Sequence, residues 1–267
     1  MTDAAQNTKT LVPGDGYVQS FARGLAVIRS FSAEAPSQTM TEVAQRTGLT
    51  RAGARRILHT LHALGYVEIE GRQFRLTPKV LDLGFAYLSS LPVWSLAEPY
   101  MEALVKQVQE SCSVAVLNGT EIIYVLRLPV EKIMSINLGV GSRLPAYCSS
   151  MGRVLLAGLA DDDVERILAQ TDRIARTPRT LTTPQALLEE IRKVRQQGWC
   201  IVDQELEPGL ISVAVPIRAR NGKVVAAMNV GMSTSRVNRT HVEQQILPKL
   251  LATARQINDR MVHSGSI

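Results

Sequence analysis

Between Thr39 and Gly65 the chain reads TMTEVAQRTGLTRAGARRILHTLHALG, and this stretch restricts the N-terminal fold more than any other. Val43 and Ala44 hold inward positions of a first helix, and Gly48 ends it. Thr50 is placed to cap a second helix, where its hydroxyl can accept an orphan backbone N–H. Ala54, Ile57, Leu58, Leu61 and Leu64 recur at helical spacing and define a buried stripe. Arg51, Arg55, His59 and His62 fall on the other side, and this second helix contains no acidic residue. Two helices joined by a short glycine-containing turn, the second cationic on its outer face, form the layout that sets a helix into the major groove of DNA. Helix pairs of this kind also occur in proteins that never meet DNA, so a merely solvated charged face is an equal reading of these residues alone.

The next residues tilt the balance. Tyr66–Ile69 alternates as a strand, Glu70–Gly71–Arg72 makes a turn, and Gln73–Leu76 returns as a second strand carrying Arg75. A small hairpin directly after a basic helix is a wing, which reaches phosphates or the minor groove while the helix reads base edges. Upstream, Tyr17–Ser32 predicts an amphipathic helix with Val18, Phe21, Leu25, Ile28 and Phe31 in or near one stripe, packed behind the pair. Charge is placed to match. From Asp15 to Lys79 there are nine Lys or Arg against five Asp or Glu, a large share of the net +6. A basic N-terminal part on a nearly balanced body suits a polyanion partner for the first part only.

At 267 residues, 45% of them hydrophobic, the chain can bury two cores. It has no run of 18 apolar residues and no basic-then-apolar leader, so neither a membrane span nor secretion is expected. Cys112, Cys148 and Cys200 are odd in number and far apart, which suits a reducing cytoplasm better than a disulfide framework. Residues 1–14 read as a flexible arm, 15–77 as the winged helix–turn–helix, 78–91 as a linker helix opened by Pro78, and 92–267 as a second domain. In that domain the apolar strands Ser113–Leu117 and Glu121–Leu128 meet at Asn118–Gly119, and Ser212–Arg218 and Lys223–Gly231 meet at Asn221–Gly222. Asn–Gly favours type I′ hairpin turns. Helices are expected at Leu96–Ser111, Ser150–Leu159, Asp162–Gln170, Gln185–Gln197 and Glu243–Val262. Antiparallel hairpins with helices between them make an α+β domain.

Catalytic signatures are missing. The four histidines (His59, His62, His241, His263) do not form a metal or triad spacing, and HExxH, CxxC, GxSxG and the P-loop motif do not occur. Asp161–Asp163 opens a helix, where acids complement the dipole. Gly139-x-Gly141 is too slight for a nucleotide loop, and Cys148 lacks a nearby histidine in sequence to activate it. No enzyme activity, cofactor or metal is expected. A binding site is better supported. Leu144–Arg153 is an irregular segment that runs through serines and Gly152 into a helix, and free N–H groups at such a start receive anions. An ordinary serine N-cap is the plainer alternative.

Five ordered blocks then resemble the IclR family of bacterial transcriptional regulators: FARGLAVIRSF, LTRAGARRILHTLHALGYV, FRLTPKVLDLG, LPAYCSSMGRVLLAGL and GWCIVDQELEPGLISVAVPIRARNGKVVAAMNVG. The wording of GYVQSFARGL and AYCSSMGRVLL is similar to the branch that regulates aromatic-acid catabolism through the β-ketoadipate pathway. The resemblance implies a winged helix–turn–helix, a linker helix and a GAF-like effector domain, assembled as a homodimer or homotetramer on double-stranded operator DNA. The basic helix and hairpin read from the residues then place Thr50, Arg51, Ala52, Arg55, Arg56 and His59 at the DNA, Arg56 on phosphate if not on bases, with Arg72 and Arg75 on the wing. The resemblance also implies a small carboxylate effector, an aromatic acid or β-ketoadipate, held by Ser150, Met151 and Gly152 beside Tyr147, with Asp203, Ser212, Asn229 and Gly231. Asn229 and Gly231 stand where members that bind two- or three-carbon acids carry serines, which leaves room for a longer or aromatic acid. Asp203 would then accept from a hydroxyl or line the far end, and Arg153 would point away from the pocket. Arg127 and Arg143 are candidates for a second carboxylate, or else surface arginines. The rival readings are an enzyme acting on a small acid, and a sensor whose helix pair contacts protein.

Overall fold

The computed structural model describes residues 16–90, 93–130 and 138–263. The expected arm at 1–14 and the break at Leu91–Pro92 lie outside them. The chain divides into two compact units between Tyr87 and Leu88, inside the stretch expected to be the linker helix.

In the first unit, α1 (Gln19–Arg29), α2 (Met40–Thr47) and α3 (Arg51–Ala63) enclose Val27, Val43, Ala44, Ala54, Leu58 and Leu61, closed off by Val67 and Phe74. Thr39 and Glu42 form a reciprocal capping box that starts α2. Gly48, at φ 66, ends α2 in the left-handed region that glycine enters without strain. Thr50 caps α3, its hydroxyl accepting from Gly53 N at 3.1 Å. The wing strands β2 (Val67–Glu70) and β3 (Gln73–Leu76) are joined by a strand the sequence did not signal, β1 (Ser37–Thr39), in the order β1-β3-β2. The apolar stripe expected on α1 buries only at its C-terminal end. Val27 is in the core with Ile28 and Phe31 against it, while Val18 and Phe21 are 63% and 68% exposed. The N-terminal half of α1 therefore overhangs the core, and Phe21 lines an apolar groove with Leu25, Ile57, Leu64 and Leu83. A short 3-10 turn at Pro78–Val80 leads into α4 (Leu81–Ser90).

The second unit is an antiparallel sheet with helices on both faces. Its strands are β4 (Ser111–Asn118), β5 (Glu121–Leu128), β6 (Arg143–Pro145), β7 (Cys200–Asp203), β8 (Leu210–Arg218) and β9 (Val224–Ser233), in the order β6-β5-β4-β9-β8-β7. On one face, Cys112, Val114, Val213, Met228 and Val230 pack with α5 (Val93–Val108) and, beyond the short α9 (Arg239–His241) and a π-helical turn, with α10 (Leu247–His263). On the other, Ala115, Tyr124, Ala214 and Ala227 pack with α6 (Ser150–Ala157), α7 (Asp161–Gln170) and α8 (Pro184–Gln197). Among the described residues no single helix is long and apolar enough to cross a membrane.

Both Asn–Gly hairpins form, but neither turn is type I′. That turn needs positive φ at both central residues. Gly119 and Gly222 have φ of 62 and 80, whereas Asn118 and Asn221 do not have positive φ. Asn118 is instead paired with Glu121 in the ladder, and the Asn221 side-chain oxygen accepts from Lys223 N. One irregularity breaks the alternation of β5. The β4–β5 ladder slips between Val114 and Ala115, so that Val114 pairs with Leu126 and Ala115 with Tyr124. Val125 is the extra residue of a β-bulge.

Candidate effector pocket and nucleic-acid interface

On the α6 face of the sheet, one end of the strands presents small polar residues instead of apolar ones. Ser111 and Ser113 of β4, Asn229 and Gly231 of β9 and Ser212 of β8 are matched across the ladders. They line a cavity of about 40 Å³ with Arg127, Tyr124 and the start of α6, walled by Leu138, Leu144, Leu206 and Leu210. The Ser212 hydroxyl donates to the Ser150 hydroxyl at 2.9 Å, which fixes the helix start over the strands. Ser149 caps α6, accepting from Gly152 N and donating to Pro145 O at 2.8 Å. The N–H groups of Ser150 and Met151 are in the first turn, where no intrahelical acceptor exists. Asn229 is only 8% exposed, and its side chain makes no hydrogen bond to a described residue. Arg127 donates to Ser113 Oγ at 3.2 Å and has no carboxylate partner among the described residues. Burial pushes the Tyr124 phenol up to about 12, so it stays protonated.

The cavity thus brings together Ser150, Met151, Ser212, Asn229, Gly231 and Arg127 of the expected set, and four others lie elsewhere. Tyr147 is buried beside it, but its hydroxyl is spent on Ile174 O at 2.6 Å. Gly152 serves packing: a Cβ there would stand 2.2 Å from Ala146 O. Asp203 has the parity of Ile201, which belongs to the opposite core, and its carboxylate pairs with Arg179 at 2.7 Å. Arg143 is on the edge strand and pairs with Glu121 at 2.8 Å. Ser111, Ser113, Tyr124 and Ser149 line the cavity without having been expected. The signal for the first two was there, as two serines at i and i+2 within an apolar strand.

Arg153 does point away from the cavity. Its guanidinium meets Glu205 in a buried two-point pair at 2.7 and 2.5 Å, and its Nε donates to Tyr147 O. The three cysteines are buried, which pushes the Cys112 and Cys200 thiols up to about 12 and Cys148 up to about 11. Thiols held this high are poor nucleophiles.

In the first unit, Arg51, Ala52, Arg55, Arg56 and His59 are all exposed on α3. They do not share one flank. Arg56 borders the apolar groove. His59 lies edge-on to Phe74 of the wing, with ring centroids 6.4 Å apart. His62 bonds Val67 O at 2.9 Å through Nδ1, so α3 and the wing are tied together. Arg72 is at the turn of the wing, whereas Arg75 is held between Glu70 at 3.2 Å and Glu68 at 4.0 Å.

A winged helix–turn–helix with an exposed basic face, followed by a sheet unit with a polar cavity at a helix start, defines a ligand-responsive transcription regulator. Residues 20–71 match the IclR helix–turn–helix domain, and residues 85–259 match the domain described as bacterial transcriptional regulator IclR C-terminal. The chain belongs to the IclR family of bacterial transcriptional regulators. It is 48% identical to the Pca regulon regulatory protein of Pseudomonas putida, over 90% of this chain and 83% of that one. It is 35% identical to the p-hydroxybenzoate hydroxylase transcriptional activator of Acinetobacter baylyi, over 92% of each. Among solved structures, a putative transcriptional regulator from Rhodococcus sp. RHA1 superposes with a TM-score of 0.83 at 47% identity, covering 93% of this chain and all (100%) of that one. An IclR homolog from Microbacterium hydrocarbonoxydans, complexed with 4-hydroxybenzoate, superposes with a TM-score of 0.79 at 26% identity, covering 91% of this chain and 98% of that one.

Proposed function

We propose that this protein is a cytoplasmic regulator of a catabolic operon, and that its effector is an aromatic acid or a β-ketoadipate-like carboxylate. The observation that carries the reading is the Asn229 side chain, which lines the same cavity as the α6 start and has no hydrogen-bond partner among the described residues. An amide open to the cavity can donate to and accept from the oxygens of a ligand. The effector's carboxylate rests on the Ser150 and Met151 N–H groups, where the helix dipole favours an anion. Tyr124 and the four leucines supply the apolar walls that a carbon skeleton needs. The names of the Pseudomonas and Acinetobacter relatives, and the 4-hydroxybenzoate bound by the Microbacterium homolog, support the same class of acid.

On the DNA side, Arg51 and Arg55 on α3 read the major groove, with Thr50, Ala52 and His59 beside them and Arg56 on phosphate. Arg72 reaches phosphate or the minor groove from the wing. The chain works as a homodimer or homotetramer, and the effector acts by shifting the population of arrangements that fit the operator.

Gly231 provides the test. A Cβ there meets nothing within 4 Å, so Gly231→Val folds but fills the cavity. A true effector at 100 times its dissociation constant raises stability by about 2.7 kcal/mol. In a thermal-shift screen with 4-hydroxybenzoate, protocatechuate and β-ketoadipate, at least one acid stabilises the wild type and none stabilises Gly231→Val. Equal stabilisation of both proteins would place the effector elsewhere. A gel shift with an operator fragment tests the other end: the Arg51→Ala/Arg55→Ala double variant loses binding.

A further inference from the structure

The turn from α3 into the wing is tied down from outside by two residues that open α4. Leu64 caps α3, and Gly65, at φ 80, reverses the chain. Gly65 N donates to His62 O at 2.9 Å and Tyr66 N to Leu61 O at 2.8 Å, the paired bonds of a Schellman turn. The carbonyls from Leu64 to Val67 are then each taken. Leu64 O accepts from Lys79 Nζ at 2.9 Å, and Gly65 O from the Thr77 hydroxyl at 2.6 Å. Tyr66 O accepts from Thr77 N at 3.0 Å, and Val67 O from His62 Nδ1 at 2.9 Å. Lys79 Nζ also lies over the Tyr66 ring, 5.2 Å from its centroid. Both residues serve α3 better than the helix they open. Thr77 is the N-cap of the 3-10 turn but makes no side-chain cap bond there. Lys79 is in the first turn of the run that continues into α4, where a cation opposes the helix dipole, and its charge instead meets the carbonyl end of α3, where a cation is favoured.

We infer that Thr77 and Lys79 are positioning residues for DNA recognition: from the head of α4 they fix the angle at which the wing leaves the reading helix, and Lys79 is not itself a phosphate contact. The inference rests on the reading of α3 and the wing as the DNA-contacting elements. Lys79 has no carboxylate partner among the described residues, so by charge alone it would join the arginines on phosphate. Its ammonium is seated instead between a backbone carbonyl and a ring, at the vertex where α3 and the wing meet. From there Arg51 is about 20 Å away along the helix axis, and the wing turn at Arg72 is about 15 Å out along the strands. A tilt of about 10° at the vertex moves either end by about 3 Å, more than a hydrogen bond tolerates. Base contacts are directional and fail under such a shift, whereas the attraction of a basic face to phosphate persists. The clasp therefore sets specificity more than affinity.

Fluorescence anisotropy of the full-length protein over a salt series tests this, with a duplex that the wild type selects from a random pool and a shuffled duplex of the same composition. Thr77→Val, which removes the hydroxyl and no charge, should weaken binding to the selected duplex about threefold to tenfold and leave the shuffled one unchanged. Lys79→Met should do the same with the salt slope unaltered. Lys79→Arg, which keeps a donor and a cation over the ring, should keep the wild-type discrimination. Equal weakening on both duplexes overturns the inference, and a salt slope lower by about one in Lys79→Met identifies a phosphate contact in its place. Wild-type affinities in both Thr77→Val and Lys79→Met overturn it as well. Arg51→Ala/Arg55→Ala, run alongside, isolates the premise: if that variant binds the selected duplex as the wild type does, α3 is not the reading helix and the inference falls with it.

Discussion

Arg153 and Glu205 are joined at two points inside the second unit, and Arg153 is 1% exposed. Glu205 also accepts from Leu181 N, so the pair ties α6 to the segments on either side of β7. Removing one member leaves the other buried and unpaired, which costs about 3–5 kcal/mol. Glu205→Ala should lower Tm by roughly ten degrees in a scanning calorimeter. Replacing both at once, as Arg153→Met with Glu205→Leu, should cost much less. A double variant as unstable as the single one would mean the pair is not what holds these segments.

The wing carries less positive charge than its arginines imply, because Glu68 and Glu70 hold Arg75. Only Arg72 is left without an acidic partner among the described residues of the hairpin. Arg72→Ala should lower the slope of log affinity against log salt by about one, across all DNA sequences alike. Glu70→Gln should do the reverse, releasing Arg75 and strengthening binding. Fluorescence anisotropy over a salt series measures both, and a weaker Glu70→Gln complex would show that Arg75 needs its carboxylate for position.

Gly152 is in the first turn of α6, and the space a methyl group needs is taken by the Ala146 backbone. Backbone cannot rotate out of the way as a side-chain tip can. Gly152→Ala should therefore destabilise by at least about 1–3 kcal/mol and displace the start of α6. Effector stabilisation should be lost with it, read by thermal shift with and without the acid. Unchanged Tm would show that α6 has more freedom than its contacts indicate.

Asp161 opens α7 and pairs with Arg192 and Arg195 of α8. Hydrogen bonds from Arg195 and then Arg192 hold its carboxyl below the usual aspartate range. A lowered folded-state value means that the stabilisation is whole above about pH 4, the unfolded value, and is lost as pH falls through the folded one. Asp161→Asn lacks this contribution at every pH. The Tm gap between wild type and variant should be constant near neutrality and close as the solution is acidified below about pH 4. A gap that persists at low pH would point to packing, not charge.

The sequence conveyed most of the helices because their apolar spacing and caps are local. Thr39, Gly48 and Thr50 mark their boundaries without help from the rest of the chain. It did not convey β1, β6 or β7, which are three or four residues long and owe their strand character to a neighbour already in place. The pocket was half legible. Ser150, Ser212, Asn229 and Gly231 sit in segments whose order resembles a known family. Asp203 lies outside the cavity because CIVD is apolar on both faces and hides which parity faces inward. Arg127 remained an open choice for the same reason: EIIYVLRL is a nearly unbroken apolar run, and nothing in it announces a bulge.

The bulge also bears on how such a pocket changes over time. In most strands, losing one residue turns every later side chain to the other face. At Val125 that turn has already been made, so a single-codon deletion there would leave a regular ladder with Tyr124 and Arg127 still on the same side. One residue more also gives an even spacing, and a regular ladder would then move the guanidinium from opposite Ser113 to opposite Ser111 on the same face. Relatives with a β5 shorter by one residue should carry their arginine two positions after the tyrosine instead of three, and respond to effectors of the same charge.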